Sequence, residues 1–292
     1  MLDLKKKNIC IISYIHECGL YYLAKYFYKD LVKNNNITWI SKNHYKKDKF
    51  GMYNPDIILP KKERLNKNIK ALDINSFDLF LTKNGFDVIL SFETMMKEPW
   101  IFNHKDKIID VPMIEWVDRK EYMNYGLLNQ ILCLNKYTYN YFKNLPNAKL
   151  LDFKIQNKNI TNDKNIDFYH QASLNENYSS KNTKHVISAF SKTDKTLVIT
   201  GILSEKEKAS LTSNIRYLGV LSRSEINSLY EKSKWLIAPS SSEGLGLQII
   251  EAKSYNCKVL TSSYETIAEY GDYIIDLDKD IKNQVFDFLK NF

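Results

Sequence analysis

Short apolar runs alternate with longer segments whose apolar residues recur every three or four positions, and this alternation spans the chain. Asn8–Ile15 (NICIISYI) is an apolar run of strand length. A tight turn at His16-Glu17-Cys18-Gly19 follows it. Leu20–Lys33 then sets Leu20, Leu23, Ala24, Phe27 and Leu31 on one helical face, and Ile37–Ser41 predicts a second strand. Further strands are predicted at Asp56–Leu59, Val88–Phe92, Lys107–Asp110 and Gln130–Leu134. Lys61–Asn84 is mostly helical in pattern. Its lysines and arginine oppose Leu65, Ile69 and Leu72, as in a helix that lays its apolar side on a core or on a membrane interface. Leu151–Lys164 is rich in Lys and Asn and weakly patterned, which places a linker near 155–165. A second series begins at Ile166–Tyr169. It continues through a helix at Asn182–Phe190, strands at Thr196–Thr200 and Ile215–Val220, and a helix at Ser224–Ser233. Trp235–Ala238 and Lys258–Ser262 predict strands, Leu247–Tyr255 a helix between them, and Asp278–Phe292 a short closing helix. Strands alternating with helices throughout predict an α/β protein with parallel sheets. The linker divides it into domains 1–160 and 161–292.

The length of 292 residues suits two domains of ordinary size. A hydrophobic fraction of 44% with 13% aromatics excludes a disordered chain. No apolar run reaches the roughly 18 residues of a membrane-spanning helix. Met1–Lys7 leads straight into the first strand without the apolar core of a signal peptide. The expectation is a cytoplasmic protein, with peripheral contact at the inner membrane face as an option. Cys10, Cys18, Cys133 and Cys257 are scattered, so they read as reduced thiols and argue against a zinc site. The net charge of +8 changes the picture more. It points to an anionic partner, a membrane surface or a nucleic acid, although solvated surface lysines produce the same number. Lys42–Phe50 (KNHYKKDKF) gathers cations and aromatics in one segment suited to acceptor phosphates.

The most informative stretch is Pro239–Ala252, PSSSEGLGLQIIEA, between two predicted strands. Gly244 and Gly246 allow close approach of backbone to a ligand. The helix start beyond them offers unpaired N–H groups and a positive dipole end, which suit phosphate. Glu243 and Glu251 frame the site, and ionised carboxylates make strong hydrogen bonds to sugar hydroxyls. This run resembles the P-S-x-x-E-G-x-G-L-x-x-x-E-A signature of retaining GT-B glycosyltransferases of family 4 (glycosyl transferases group 1), with Glu243 and Glu251 as its E-x7-E pair. The resemblance implies two Rossmann-like domains facing each other across a cleft, an N-terminal acceptor side and a C-terminal donor side.

Lys181-Asn182 followed by Ile187–Phe190 is similar to the family's K-N-x-x-x-x-I-x-A-F segment, whose lysine contacts the donor pyrophosphate. The arginine that precedes it in the family is missing here, since positions 175 and 176 are Asn and Glu. Ile215–Val220 resembles the strand end that meets the nucleobase, which brings in Gly219 and Val220. The resemblance therefore implies a donor site of Gly19, Lys181, Gly219, Val220, Glu243, Gly244, Leu245, Gly246, Leu247 and Glu251. Lys181 and the backbone of Gly244–Leu247 would hold the diphosphate, Glu243 the sugar and Glu251 the ribose. Glu243, Lys181 and His16 are the catalytic candidates. His170 is placed either in the same pocket or in a structural role. Glu17, Lys42, Lys46, Glu93, Glu115 and Asp118 are acceptor-side candidates. The resemblance implies no metal and no cofactor, a UDP- or GDP-sugar donor, and no covalent side-chain nucleophile.

The leading expectation is a retaining transferase of cell-envelope glycans, building lipopolysaccharide or capsule. The basic surface fits equally a phage-type enzyme that glycosylates hydroxymethylated DNA bases in a host cytoplasm. A GT-B epimerase is disfavoured by the Pro-Ser-x-x-Glu-Gly run, and a catalytically silent sugar-nucleotide-binding protein would account for the missing arginine.

Overall fold

The structure is a computed structural model, and it describes residues 4–13, 19–42, 50–53, 73–93, 96, 98–151, 153–157, 164–174 and 179–292. The chain divides into two units, Met1–Phe153 and Lys154–Phe292, a few residues ahead of the division expected from composition.

In the first unit, β1 (Asn8–Ser13), α1 (Gly19–Leu31), β2 (Asn36–Lys42) and β3 (Phe50–Tyr53) lead to α2 (Ile74–Asn84) and β4 (Val88–Phe92). Then come α3 (Pro99–His104), β5 (Ile108–Val111), α4 (Tyr122–Tyr125), β6 (Gln130–Cys133), α5 (Lys136–Phe142) and β7 (Ala148–Leu150). The sheet order is β3-β2-β1-β4-β5-β6-β7. Every pairing is parallel except that of β3 with β2. Ile9, Cys10 and Ile11 of β1 are wholly buried, as expected of a parallel strand covered on both faces. α1 buries the face that its spacing predicts, with Leu23, Ala24, Phe27 and Leu31 inside. Asp73 caps α2 by accepting from Ser76 N at 2.8 Å, and Gly85 ends it in the left-handed region at φ 57°. Asp78 then ties α2 to α3 through His104 and Asn103, at 2.8 and 2.9 Å. The expected strand at 56–59 and the first part of the helix expected at 61–84 lie outside the described residues.

The second unit runs β8 (Ile166–Gln171), α6 (Thr183–Phe190), β9 (Leu197–Thr200), α7 (Glu205–Ala209), β10 (Ile215–Tyr217), α8 (Arg223–Lys232) and β11 (Ser233–Ala238). It closes with α9 (Leu247–Ser254), β12 (Lys258–Ser262), β13 (Tyr273–Ile275) and α10 (Ile281–Lys290). Its sheet is wholly parallel, in the order β10-β9-β8-β11-β12-β13. Phe168, Phe190, Trp235 and Phe288 form the aromatic centre of one face, with Trp235 and Phe288 rings 4.9 Å apart. Capping boxes at Ser204/Glu207 and Ser222/Glu225 start α7 and α8. Lys164, in the segment read as linker, instead anchors this unit. Its ammonium donates to the carbonyls of Ser233 (2.7 Å) and Tyr255 (3.0 Å), beyond the ends of α8 and α9. Burial lowers its pKa.

Both units are therefore Rossmann-like α/β layers, as the alternation predicts. In the second, the strand order reverses between β8 and β11. Ligands of such sheets bind beyond the carboxyl ends of the strands at that reversal. The two loops that flank it, β8–α6 and β11–α9, are the ones carrying Lys181 and Glu243.

Candidate active site in the second unit

The β8–α6 connection ends in a turn, Ser179–Lys181, and Asn182. Asn182 sits at φ 54°, ψ 29°, a left-handed conformation that asparagine tolerates better than most side chains. Its amide donates to the Pro239 carbonyl at 2.7 Å. Ser241 N donates to the Ser180 carbonyl at 2.8 Å, and the Ser241 hydroxyl donates to the same oxygen. The turn is thus stitched onto the Pro239–Ser241 loop. From this frame Lys181 Nζ donates to Glu243 Oε1. The two side chains keep 18% and 15% of their exposure, so the ion pair is partly withdrawn from water.

The other side of the loop is fixed as firmly. The Thr266 hydroxyl donates to the Glu243 carbonyl, and the Ser262 hydroxyl donates to the Ser240 carbonyl. Gly246 is the cap of α9 at φ 68°, and no side chain caps that helix start. A β-carbon at Gly246 would lie 2.5 Å from Ile267 Cγ2. Gly246→Ala is expected to destabilise the protein by about 2 kcal/mol, from left-handed strain plus overlap. Gly219→Ala, also at positive φ but with open space around the new methyl, should cost about 1 kcal/mol. Urea titration of the two variants measures the difference. Beside the Lys181–Glu243 pair, the hydroxyls of Ser180 and Ser240 are buried without a hydrogen-bond partner among the described residues. Such groups are rare in native proteins.

Beneath the site, His170 of β8 is fully buried. Its Nδ1 lies 2.7 Å from the Ile237 carbonyl and its Nε2 2.9 Å from the Thr183 hydroxyl. A carbonyl only accepts, so Nδ1 carries the proton and donates. Nε2 then accepts from the Thr183 hydroxyl, and the ring is neutral. Burial, with the nearby charge of Lys181, lowers its pKa to about 4. His170 is thus a structural bolt between β11 and the start of α6.

Glu251, one turn into α9, has a side chain only 3% exposed and is paired with Nη2 of Arg223, the first residue of α8. Tyr169 and Tyr230 are buried nearby. The Tyr230 hydroxyl donates to Gln171 Oε1 at 2.7 Å, and Tyr169 shares a 2.7 Å hydrogen bond with Thr200. Burial, then the charge of Glu251, pushes the Tyr230 phenol far up. Arg223 has no place in the motif resemblance. Its partner stands on another helix, and no short spacing connects the two.

The remaining candidates are dispersed. The strand expected to reach Val220 stops at Tyr217. Gly219 turns the chain at φ 70°, leaving Val220 exposed in the loop. In the first unit, Gly19 opens α1. Lys42 closes β2. Glu93 follows β4 at φ 58°. Glu115 lies in the turn Ile114–Trp116. Asp118 accepts from Lys120 N at 3.0 Å and so caps the next turn. His16, Glu17 and Lys46 lie outside the described residues, as does most of the Lys42–Phe50 segment. Among the described residues no three His, Cys, Asp or Glu side chains form a metal-binding group. No helix there is long and apolar enough to cross a membrane. Cys10, Cys133 and Cys257 are buried free thiols.

Residues 153–272 match the family described as Glycosyl transferases group 1. No curated protein matches the chain by sequence. Among solved structures it is similar to sucrose-phosphate synthase from Thermosynechococcus elongatus, at TM-score 0.68 and 9% identity over 98% of this chain and 89% of that one. A glycosyltransferase from Rickettsia africae gives TM-score 0.68 at 13% identity, over 99% and 88%. HepE of Anabaena, crystallised with UDP and glucose, gives 0.62 at 10% identity, over 98% and 90%. The Lys181 turn, the Glu243 loop and the α9 start all fall inside the matched segment, and the chain shares the two-unit α/β, GT-B fold of these structures.

Proposed function

We propose that the enzyme transfers a sugar, with retention of anomeric configuration, from a UDP- or GDP-sugar to a hydroxyl of a cell-envelope glycan acceptor. The observation that carries the donor assignment is the Lys181–Glu243 pair beside the uncapped start of α9, at the strand-order reversal of the second sheet. Lys181 and the N–H groups from Gly244 to Leu247 hold the diphosphate, a task suited to a point charge and a helix start. Glu243 exchanges the ammonium for sugar hydroxyls as phosphate arrives. Transfer breaks the bond from the anomeric carbon to the phosphate oxygen and forms one to the acceptor oxygen on the same face. The acceptor proton passes to the departing phosphate. Catalysis is then positioning and charge stabilisation by fixed groups, with no metal, no cofactor and no covalent side-chain intermediate.

Two neighbours support the finer reading. One is the lipopolysaccharide outer core galactosyltransferase WaaB, similar at TM-score 0.64 and 13% identity. The other is HepE in complex with UDP-glucose. In this reading His16 stays a catalytic candidate and Gly19 a donor-side one, with Glu17, Lys42, Lys46, Glu93, Glu115 and Asp118 as acceptor-side candidates. The net charge of +8 favours an anionic acceptor, a lipid-linked glycan at the inner membrane face or, as the second reading, duplex DNA.

A thermal-shift and turnover panel of UDP-, GDP-, ADP- and CMP-sugars tests this, run with lipid-linked glycan and with DNA bearing hydroxymethylated bases. A bound donor raises the melting temperature. Turnover with the glycan supports the envelope reading, and turnover only with DNA transfers it to the phage-type reading. Stabilisation with neither hydrolysis nor transfer leaves a binding protein.

A further inference from the structure

Resting on that donor-site reading, we propose that Arg223 is a positioning residue for recognition of the nucleotide ribose. It clamps Glu251 as the charged acceptor that reads the ribose hydroxyls. Glu251 carries its carboxylate in a side chain only 3% exposed, among the buried rings of Tyr169 and Tyr230. A carboxylate so placed needs a countercharge to remain one. Arg223 supplies it through Nη2 to Oε1.

The place of Arg223 is not explained by helix preference. It is the first residue of α8, next to the positive end of the dipole, where a cation is disfavoured. The Ser222/Glu225 capping box fixes that first turn independently of the arginine. The Arg223 side chain remains one-quarter exposed while that of Glu251 is almost covered. It therefore keeps a face toward solvent, and it follows Gly219 and Val220, the segment read as meeting the base, by only a few residues in the chain. A planar guanidinium with five donors fixes the plane of a carboxylate as no lysine can. A carboxylate has about four lone-pair sites, so one oxygen held by Arg223 orients the group for hydroxyl donors from the ligand. The clamp thus converts a buried charge into a directional ribose reader.

Isothermal titration with UDP and GDP, each against its 2′,3′-dideoxy form, tests this. The wild type is expected to prefer the ribose form of the nucleotide it binds by about tenfold or more. Arg223→Gln should weaken that nucleotide about tenfold, leave the dideoxy form nearly unchanged and bring the ratio close to one. Arg223→Lys, which keeps the countercharge and protects the fold, should retain part of the ratio. Arg223→Gln combined with Glu251→Gln should bind much as Arg223→Gln alone, since the two act as one unit. An unchanged ratio in Arg223→Gln, with only a lower melting temperature, would reduce Arg223 to a countercharge and overturn the inference. Tighter binding of the ribose form would make Arg223 a cover over Glu251 and overturn it too. If neither UDP nor GDP binds the wild type, it is the donor-site reading for these nucleotides that fails.

Discussion

Lys181→Ala lowers the rate of sugar transfer by about 10²- to 10³-fold, the usual consequence of losing one fixed stabiliser of developing charge on a leaving group. The ammonium is held by a frame that does not depend on it. Asn182 donates to the Pro239 carbonyl, and Ser241 bonds to the Ser180 carbonyl. The loop therefore keeps its shape when the charge is removed, and the loss falls on the rate. Glu243→Gln also abolishes most transfer but by a different route. It keeps the loop and frees Lys181, so the nucleoside diphosphate binds as well as before or better while the sugar is no longer held. Glu243 left without its ammonium in Lys181→Ala is partly buried, so that variant melts a few degrees lower, and the double variant recovers part of the difference. Steady-state kinetics with the donor found by the panel, alongside melting curves, measure all three. A transfer rate in Lys181→Ala within threefold of the wild type would remove Lys181 from the active site.

His170 makes the second unit sensitive to acid. Its pKa is lowered to about 4 in the folded protein, by burial and then by Lys181, against about 6.5 in an unfolded chain. The folded state thus binds fewer protons than the unfolded state between these values. Stability from this group is complete above about pH 6.5, is lost as the pH falls toward 4, and changes no further below that. The loss approaches about 3 kcal/mol over the window. His170→Gln is less stable at pH 7, because the bolt between Ile237 and Thr183 is weakened. Its stability then falls less steeply with acid, by up to one proton's slope. Urea unfolding at several pH values, followed through Trp235, the one tryptophan of residues 154–292, measures the slopes. Parallel slopes in the two proteins would mean that His170 is not buried neutral.

Much of this architecture is legible in the chain because parallel strands covered on both faces must be almost continuously apolar. Val88–Phe92 and Lys258–Ser262 have the predicted bounds for that reason. The elements that escape are the short ones at sheet edges. β7 and β13 have three residues each, mostly partly or fully exposed, and are too short to stand out from their polar surroundings. β3 is the antiparallel edge strand reached directly from a basic segment, so composition reads it as loop. Within the site, Lys181, Glu243 and Gly246 are visible because local backbone constraints impose a motif: left-handed turns, a glycine under Ile267 and an uncapped helix start. Arg223 is invisible for the opposite reason. Its meaning depends on Glu251 across a helix pair, and only packing brings them together. The sequence leaves His170 open between a pocket and a structural role, and the two bonds of its ring, to the Ile237 carbonyl and the Thr183 hydroxyl, favour the latter.

The most direct test of the central claim is a crystal structure of the protein with the nucleotide sugar that stabilises it. The account predicts diphosphate oxygens within hydrogen-bond distance of Lys181 Nζ and of the N–H groups at the start of α9, with Glu243 turned from the ammonium to the sugar hydroxyls. A donor seated elsewhere, with the Lys181–Glu243 pair intact and the α9 start empty, would contradict it.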